Sequence, residues 1–212
     1  ISADTLGAGN AGNLNINSQQ LTVESGSRIG AGTTESSTGL GGKVTINATD
    51  SVELIGTFAD GTLPSQVVAS TLGKGNAGDL RIETGSLIIR DGARVTVSGE
   101  GVGAAGNLDA IANTLLLNNN ASLNAETAAG DRGNITVQTP FVQMRNNSRI
   151  TTNATGSANG GNITVNSDIL ASLENSDILA QAIRGRGGNI SIATQGIFQS
   201  SDSNIDASSQ LG

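Results

Sequence analysis

The 212-residue chain has no cysteine, histidine, tryptophan or tyrosine, and only three phenylalanines and two prolines. Without cysteine and histidine there are no disulfides, thiolate nucleophiles, imidazole bases or Cys/His zinc sites. With Phe58, Phe141 and Phe198 as the only aromatics, the core must be thin and built from Ile, Leu, Val and Ala. Eleven Lys and Arg are scattered among eighteen Asp and Glu, for a net charge of -7. Phosphate binding needs a clustered positive field and usually stacking aromatics, so no nucleic-acid partner is expected. No apolar run approaches membrane-spanning length, so no membrane insertion is expected either. No N-terminal signal is visible, and Ile1 falls inside a repeat, which leads us to expect a signal or transport segment upstream in a longer parent.

What is present is a repeat. Gly133-Asn134-Ile135-Thr136-Val137 returns as Gly161-Asn162-Ile163-Thr164-Val165 and Gly188-Asn189-Ile190-Ser191-Ile192. Earlier copies start at Gly12-Asn13, Gly42-Lys43, Gly78-Asp79 and Gly106-Asn107. Their first aliphatics, Leu14, Val44, Leu80, Leu108, Ile135, Ile163 and Ile190, are spaced by 30, 36, 28, 27, 28 and 27 residues. A fixed period of this size marks a solenoid, and disordered chains have no such recurring face to bury. Thirty glycines against two prolines suit many tight turns between short strands.

Each repeat holds three aliphatic stations. The second lies seven residues after the first, as in Leu80 to Leu87 and Ile135 to Val142; the third lies eight further on, as in Leu87 to Val95 and Val142 to Ile150. Only the second repeat departs, with Val44 to Val52 and Val52 to Val67. Within stations the order apolar, polar, apolar is that of a half-buried strand, and the steps leave no room for helices. Three short strands per coil of about 28 residues, stacked about 4.8 Å apart, predict an all-β, single-stranded parallel β-helix. Seven full coils and a partial N-terminal one are expected over residues 1–212 as a single domain. Two residues past the third station a small or β-branched side chain recurs (Ala31, Ala69, Val97, Ala125, Thr152, Ala180), which predicts a tight corner. Insertions are expected at 30–41 and 55–64, and both ends are expected to lack a cap.

The polar residue after the motif glycine forms a column, read here as a structural ladder of stacked side-chain amides: Asn13, Asn107, Asn134, Asn162 and Asn189, with Lys43 and Asp79 interrupting. One acid in the column cannot make a converging carboxylate site, and the Gly-Gly-x-Gly-x-Asp pattern of calcium-binding β-helices is absent, so no metal or cofactor is expected. Glu24, Glu53, Asp91, Glu126, Asp177 and Asp202 do not fall at one station in neighbouring repeats, so no paired-carboxylate enzyme is expected. Arg149 and Asp177 are predicted to face each other on adjacent coils as a solvated pair. The column Asn15, Thr45, Arg81, Asp109, Thr136, Thr164, Ser191 is predicted to face outward, with Arg81 and Asp109 interrupting any threonine plane.

The wording of the C-terminal half adds a resemblance. Asn146-Asn147-Ser148-Arg149-Ile150, Gly160-Gly161-Asn162-Ile163-Thr164-Val165, Leu173-Glu174-Asn175-Ser176-Asp177-Ile178 and Gly187-Gly188-Asn189-Ile190-Ser191-Ile192 resemble the repeat region of cyanobacterial filamentous haemagglutinin-like exoproteins of the two-partner secretion class. The resemblance implies a right-handed helix, secretion through an outer-membrane pore partner, and display at the cell surface as an adhesive or structural rod contacting glycans or matrix. The family's amino-terminal secretion domain has no counterpart here, so secretion is implied only for a parent protein. The family's repeats carry no catalytic or binding motif to transfer. Two alternatives stand beside this reading: a filament or sheath subunit stacking end to end, and a carbohydrate-active β-helix enzyme.

Overall fold

Alternation at each station turns one side of the chain inward: Val44, Ile46, Val52 and Leu54 are fully buried, while Thr45, Asn47 and Glu53 between them reach the surface. The computed structural model describes residues 1–130 and 133–210. Strands β1 (Leu14–Glu24) and β2 (Arg28–Thr33) make the first full coil, β3 (Val44–Ile55) and β4 (Gln66–Thr71) the second. Strands β5 (Leu80–Arg90) and β6 (Arg94–Gly99) follow, then β7 (Leu108–Asn118) and β8 (Ser122–Thr127). Three coils of three strands complete the chain: β9 (Ile135–Gln138), β10 (Phe141–Arg145) and β11 (Arg149–Ala154); β12 (Ile163–Asn166), β13 (Ile169–Ser172) and β14 (Asp177–Ala182); β15 (Ile190–Ala193), β16 (Gly196–Gln199) and β17 (Ile205–Asp206).

All ladders between these strands are parallel, and the described residues contain no helix: the fold is a β-solenoid of about 7 turns with about 28 residues per turn. The register joins Leu14, Val44, Leu80, Leu108, Ile135, Ile163 and Ile190 in one column, as the repeat predicts. The third stations align likewise, from Ile29 and Val67 through Val95, Leu123, Ile150 and Ile178 to Ile205. A single aliphatic cluster runs through the middle, and none of the phenylalanines belongs to it. Phe58, Phe141 and Phe198 are all exposed: Phe58 lies in the loop after β3, and Phe141 and Phe198 alternate with the second-station aliphatics Val142 and Ile197 on the outward side.

Three strands per coil hold only in the last three coils. In the first four, one long strand passes through both the first and second stations, bending at a bulge. Ser18 and Gln20 flank one residue where Ala48 and Ser51 flank two, so the bulge absorbs the eight-residue step of the second repeat while the ladder continues. From Thr139 onward the bend is sharper. Pro140 has no N–H to donate, and its carbonyl accepts from both Asp168 and Ile169; Asp168 repeats this with Gln195 and Gly196. Two donors converging on one carbonyl end the ladder, and separate strands result.

Between the second and third stations the chain turns through two consecutive left-handed residues: Ser25-Gly26, Asp91-Gly92, Asn119-Asn120, Asn146-Asn147 and Glu174-Asn175, all with φ between 53° and 83°. Gly, Asn and Asp enter that region at least cost, which accounts for their recurrence there.

The insertion after the second station is a loop pinned by a Thr57–Pro64 bridge and a Phe58 N–H to Leu63 carbonyl bond of 2.7 Å. Fully buried Ser65 anchors it, donating to the Ile55 carbonyl at 2.7 Å and accepting from the Gly26 N–H at 3.1 Å. The segment 30–41 is different. Gly30 to Thr33 belong to β2, and the connection that follows, residues 34–43, is only two residues longer than residues 72–79 one coil on.

Candidate functional site

The motif glycines do not adopt an unusual φ in most copies; they are required by proximity. A Cβ on Gly42, Gly78, Gly106, Gly161 or Gly188 would sit far inside van der Waals contact of the carbonyl oxygen of the motif glycine one coil earlier. The same holds for Gly39, Gly75 and Gly103 against the coil before. The small third-station residues complete this corner: Ala31, Thr152 and Ala180 lie against Gly42, Gly161 and Gly188, so a larger side chain has no space.

The expected amide ladder is present as a column but bonded differently. Asn13 accepts from the Lys43 N–H at 2.9 Å, Asn134 from the Asn162 N–H at 2.9 Å, and Asn162 from the Asn189 N–H at 3.0 Å. Each side-chain oxygen thus caps a main-chain donor of the next coil; among the described residues the one side-chain amide bond in this column is Asn134 Nδ2 to Asn107 Oδ1, at 3.0 Å. This explains why Asp79 fits, since its carboxylate accepts from the Asn107 N–H at 3.1 Å and faces Lys43 Nζ at 3.2 Å. Side-chain bonds between coils occur at and beside the left-handed corner, where Asn175 Nδ2 donates to Asn147 Oδ1 at 2.6 Å, Asn146 Nδ2 to Asn118 Oδ1 at 2.9 Å and Asn119 Nδ2 to the Asp91 carboxylate at 2.8 Å.

A second capping column, Asn10 to the Leu40 N–H, Asn76 to Ala104 and Asn159 to Arg186, went unread in the sequence. Its signal was available in Gly9-Asn10-Ala11-Gly12 and Gly75-Asn76-Ala77-Gly78, three residues before the motif. A hydroxyl column at the bulge was also missed. Thr84, Thr139 and Thr194 bond back to the carbonyl two residues on, whereas the buried hydroxyls of Ser18 and Ser167 have no partner.

Arg149 and Asp177 do pair across adjacent coils, at 3.7 Å. The expectation of a solvated pair fails for the acid: Asp177 is 7% exposed, and its Oδ1 accepts from Asn204 N at 2.9 Å and Nδ2 at 3.3 Å. It caps the next coil as the motif asparagines do. Other coil-to-coil ion pairs join Arg90 to Glu53 and Arg145 to Glu174, all partly exposed and each worth less than about 1 kcal/mol. The column from Asn15 to Ser191 faces outward as predicted.

The outward side of the third-station sheet carries a cleft of about 600 Å³ over β8 and β11, lined by Ser122, Asn124, Glu126, Arg149, Thr151 and Asn153. Register places Arg94, Ser122 and Arg149 along one edge, Thr96, Asn124 and Thr151 in the middle, and Ser98, Glu126 and Asn153 along the other. Thr96, Asn124 and Thr151 are at most 9% exposed although they point away from the core. The Thr96 hydroxyl has no hydrogen-bond partner, which costs about 1–3 kcal/mol for a buried polar group.

The resolved carboxyl shifts are all downward. Thr62 hydrogen bonds hold Asp60 below the usual range, Ser200 and the Asn175 backbone do so for Asp202, and Gln181 and Ser208 for Asp206. The Arg90 and Arg145 guanidinium groups are raised, chiefly by hydrogen bonds to Glu53 and Glu174. Among the described residues no three acidic groups approach closely enough to hold a metal ion. No protein family, no characterised protein and no solved structure matches this chain.

Proposed function

We propose that the chain is a structural, adhesive rod segment of a secreted, cell-surface protein of the filamentous haemagglutinin-like kind. The observation that carries the reading is the coil-on-coil design: aliphatic columns inside, side-chain caps on successive coils, and polar residues at most outward positions of the first- and third-station strands. Such a stack transmits load and displays surface along its length, which is what a spacer or attachment rod does. Under this reading the parent leaves the cell through an outer-membrane pore partner, and the outward faces meet matrix or glycans. Protease shaving and immunogold labelling of intact producing cells test it. Surface label removed by the protease supports the rod; label found only after lysis sinks it.

A second reading is end-to-end filament assembly. Half-buried aliphatics in the first coil (Leu14, Ile16, Leu21) and the last (Ile190, Ile192, Ile205) are positions that any further coil would cover, from the same chain or another copy. Electron microscopy at rising concentration decides it: axial fibres favour assembly, and monodisperse rods of constant length reject it.

A further inference from the structure

The second-station strands turn an apolar band outward over the last five coils. Register sets Ile88, Leu116, Gln143, Ala171 and Phe198 in one column, with Phe141 and Ile169 beside it. Ile88 and Leu116 are half-buried, while Phe141, Ile169 and Phe198 are 36%, 38% and 59% exposed. Phe141 and Ile169 lie in coils flanked on both sides, so their exposure is not an end effect. In the first two coils the same two columns are polar, with Gln20, Thr22, Ser51 and Glu53. The band is thus confined to β5, β7, β10, β13 and β16.

We propose that this band is a dimer interface, on which a second copy of the chain lies side by side with its axis reversed. Another solenoid is the occupant that the face fits, because its rows share the spacing of about 4.8 Å and two sheets pack face to face about 10 Å apart. A two-fold axis through β10, along the strand, sets β5 on the other copy's β16 and β7 on its β13. Ile88 then meets Phe198, and Leu116 fills the low point at Ala171, the one small side chain of the band's main column. Charge agrees with shape: Arg90 comes to the exposed corner holding Asp202 of the other copy, while Glu24 and Glu53 stay outside the overlap. With axes parallel, Glu53 would face Glu53, and two Phe198 rings would meet beside two Ala171. Five strands of about five residues present about 400 Å² of flat area per copy, at the low end for specific complexes. The dimer is therefore weak and populated only at high concentration. It closes at two copies, since each uses the same patch, and so differs from axial stacking, which buries the coil ends.

Sedimentation equilibrium of the purified chain at rising concentration tests it. A reversible monomer–dimer equilibrium with no larger species is expected. Phe198→Ser and Ile169→Asn, both at exposed positions, should each weaken it at least tenfold with melting unchanged, and Asp202→Lys severalfold. Val102→Ser, at an exposed apolar residue in the connection after β6, should leave it intact. Because the chain has no cysteine, a single nitroxide on Thr22→Cys reports orientation: with axes reversed the two labels stand eight coil steps apart, about 40 Å. Monomer alone up to about 1 mM overturns the proposal, as does a dimer indifferent to both apolar variants. A label separation under about 20 Å means parallel axes and overturns the reversed arrangement. Fibres that grow with concentration and ignore the apolar variants overturn it too, by assigning association to the coil ends.

Discussion

Two corners of the coil are rich in asparagine and glycine, yet they use those residues for unlike reasons. At the motif corner the backbone conformation is ordinary in every copy but Gly133, and asparagine is there for an oxygen that reaches the next coil's N–H, as from Asn162 to Asn189. Glycine is there because a neighbouring carbonyl occupies the place of its Cβ. At the left-handed corner, Asn119-Asn120 and Asn146-Asn147 are there because φ is positive, and glycine at Gly92 has open space around it apart from Thr57 at 3.3 Å. Composition alone does not separate proximity from conformation; substitution does.

The largest separation is expected for glycine to alanine. Gly161→Ala forces a Cβ onto the Gly133 carbonyl and should cost about 3 kcal/mol, since overpacking against backbone relaxes poorly. Gly92→Ala meets its positive φ and only the movable Thr57 methyl, and should cost about 1–2 kcal/mol. Chemical denaturation of both variants measures the gap; equal losses would erase the distinction between the corners.

Next comes the capping oxygen. Asn162→Leu strands the Asn189 N–H and should cost about 1 kcal/mol, since the site is exposed enough for water to assist. Asn162→Asp keeps the acceptor, as Asp79 does, and should melt near the wild type at neutral pH. If the aspartate variant melts as low as the leucine one, the cap is not what holds this column.

A smaller effect of opposite sign is expected at the other corner. Glu174 sits at φ 58°, a poor conformation for glutamate, so Glu174→Asn should raise stability by about 0.5 kcal/mol despite losing the exposed pair with Arg145. A drop in melting temperature would show that the pair outweighs the backbone.

The smallest effect is acid sensitivity. Asp202 and Asp206 ionise more readily in the folded chain, so their hydrogen bonds favour folding while they are charged. That contribution is complete above the unfolded carboxyl pKa of about 3.9 and fades as pH falls through the depressed folded values. Asp206→Asn should flatten the low-pH end of the melting curve; an unchanged acid limb would remove Asp206 from the account.

Much of this architecture was legible beforehand. The seven motif aliphatics and the third stations occupy the predicted columns; of the two irregular steps, Val44 to Val52 is absorbed by the bulge and Val52 to Val67 by the loop that Ser65 anchors. The left-handed corner was not read because its residues vary, Ser25-Gly26 in one coil and Glu174-Asn175 in another, while the shared property is a dihedral angle. Burial of Asp177 was missed for a related reason: a polar residue at an outward position reads as solvated unless the Asn204 and Arg149 groups packed on it are known. Burial of Thr96 and Asn124 was invisible too, since each is an ordinary surface residue in one dimension.

The sequence by itself determined the coil. A period near 28 with aliphatics at set stations leaves one way to bury the station aliphatics, and glycines at one phase permit coils to stack closely. Tertiary structure alone decided which outward face carries a cleft, where strands fuse through a bulge, and which oxygen caps which N–H. Those outcomes depend on distances between coils, and no pattern along one coil encodes them.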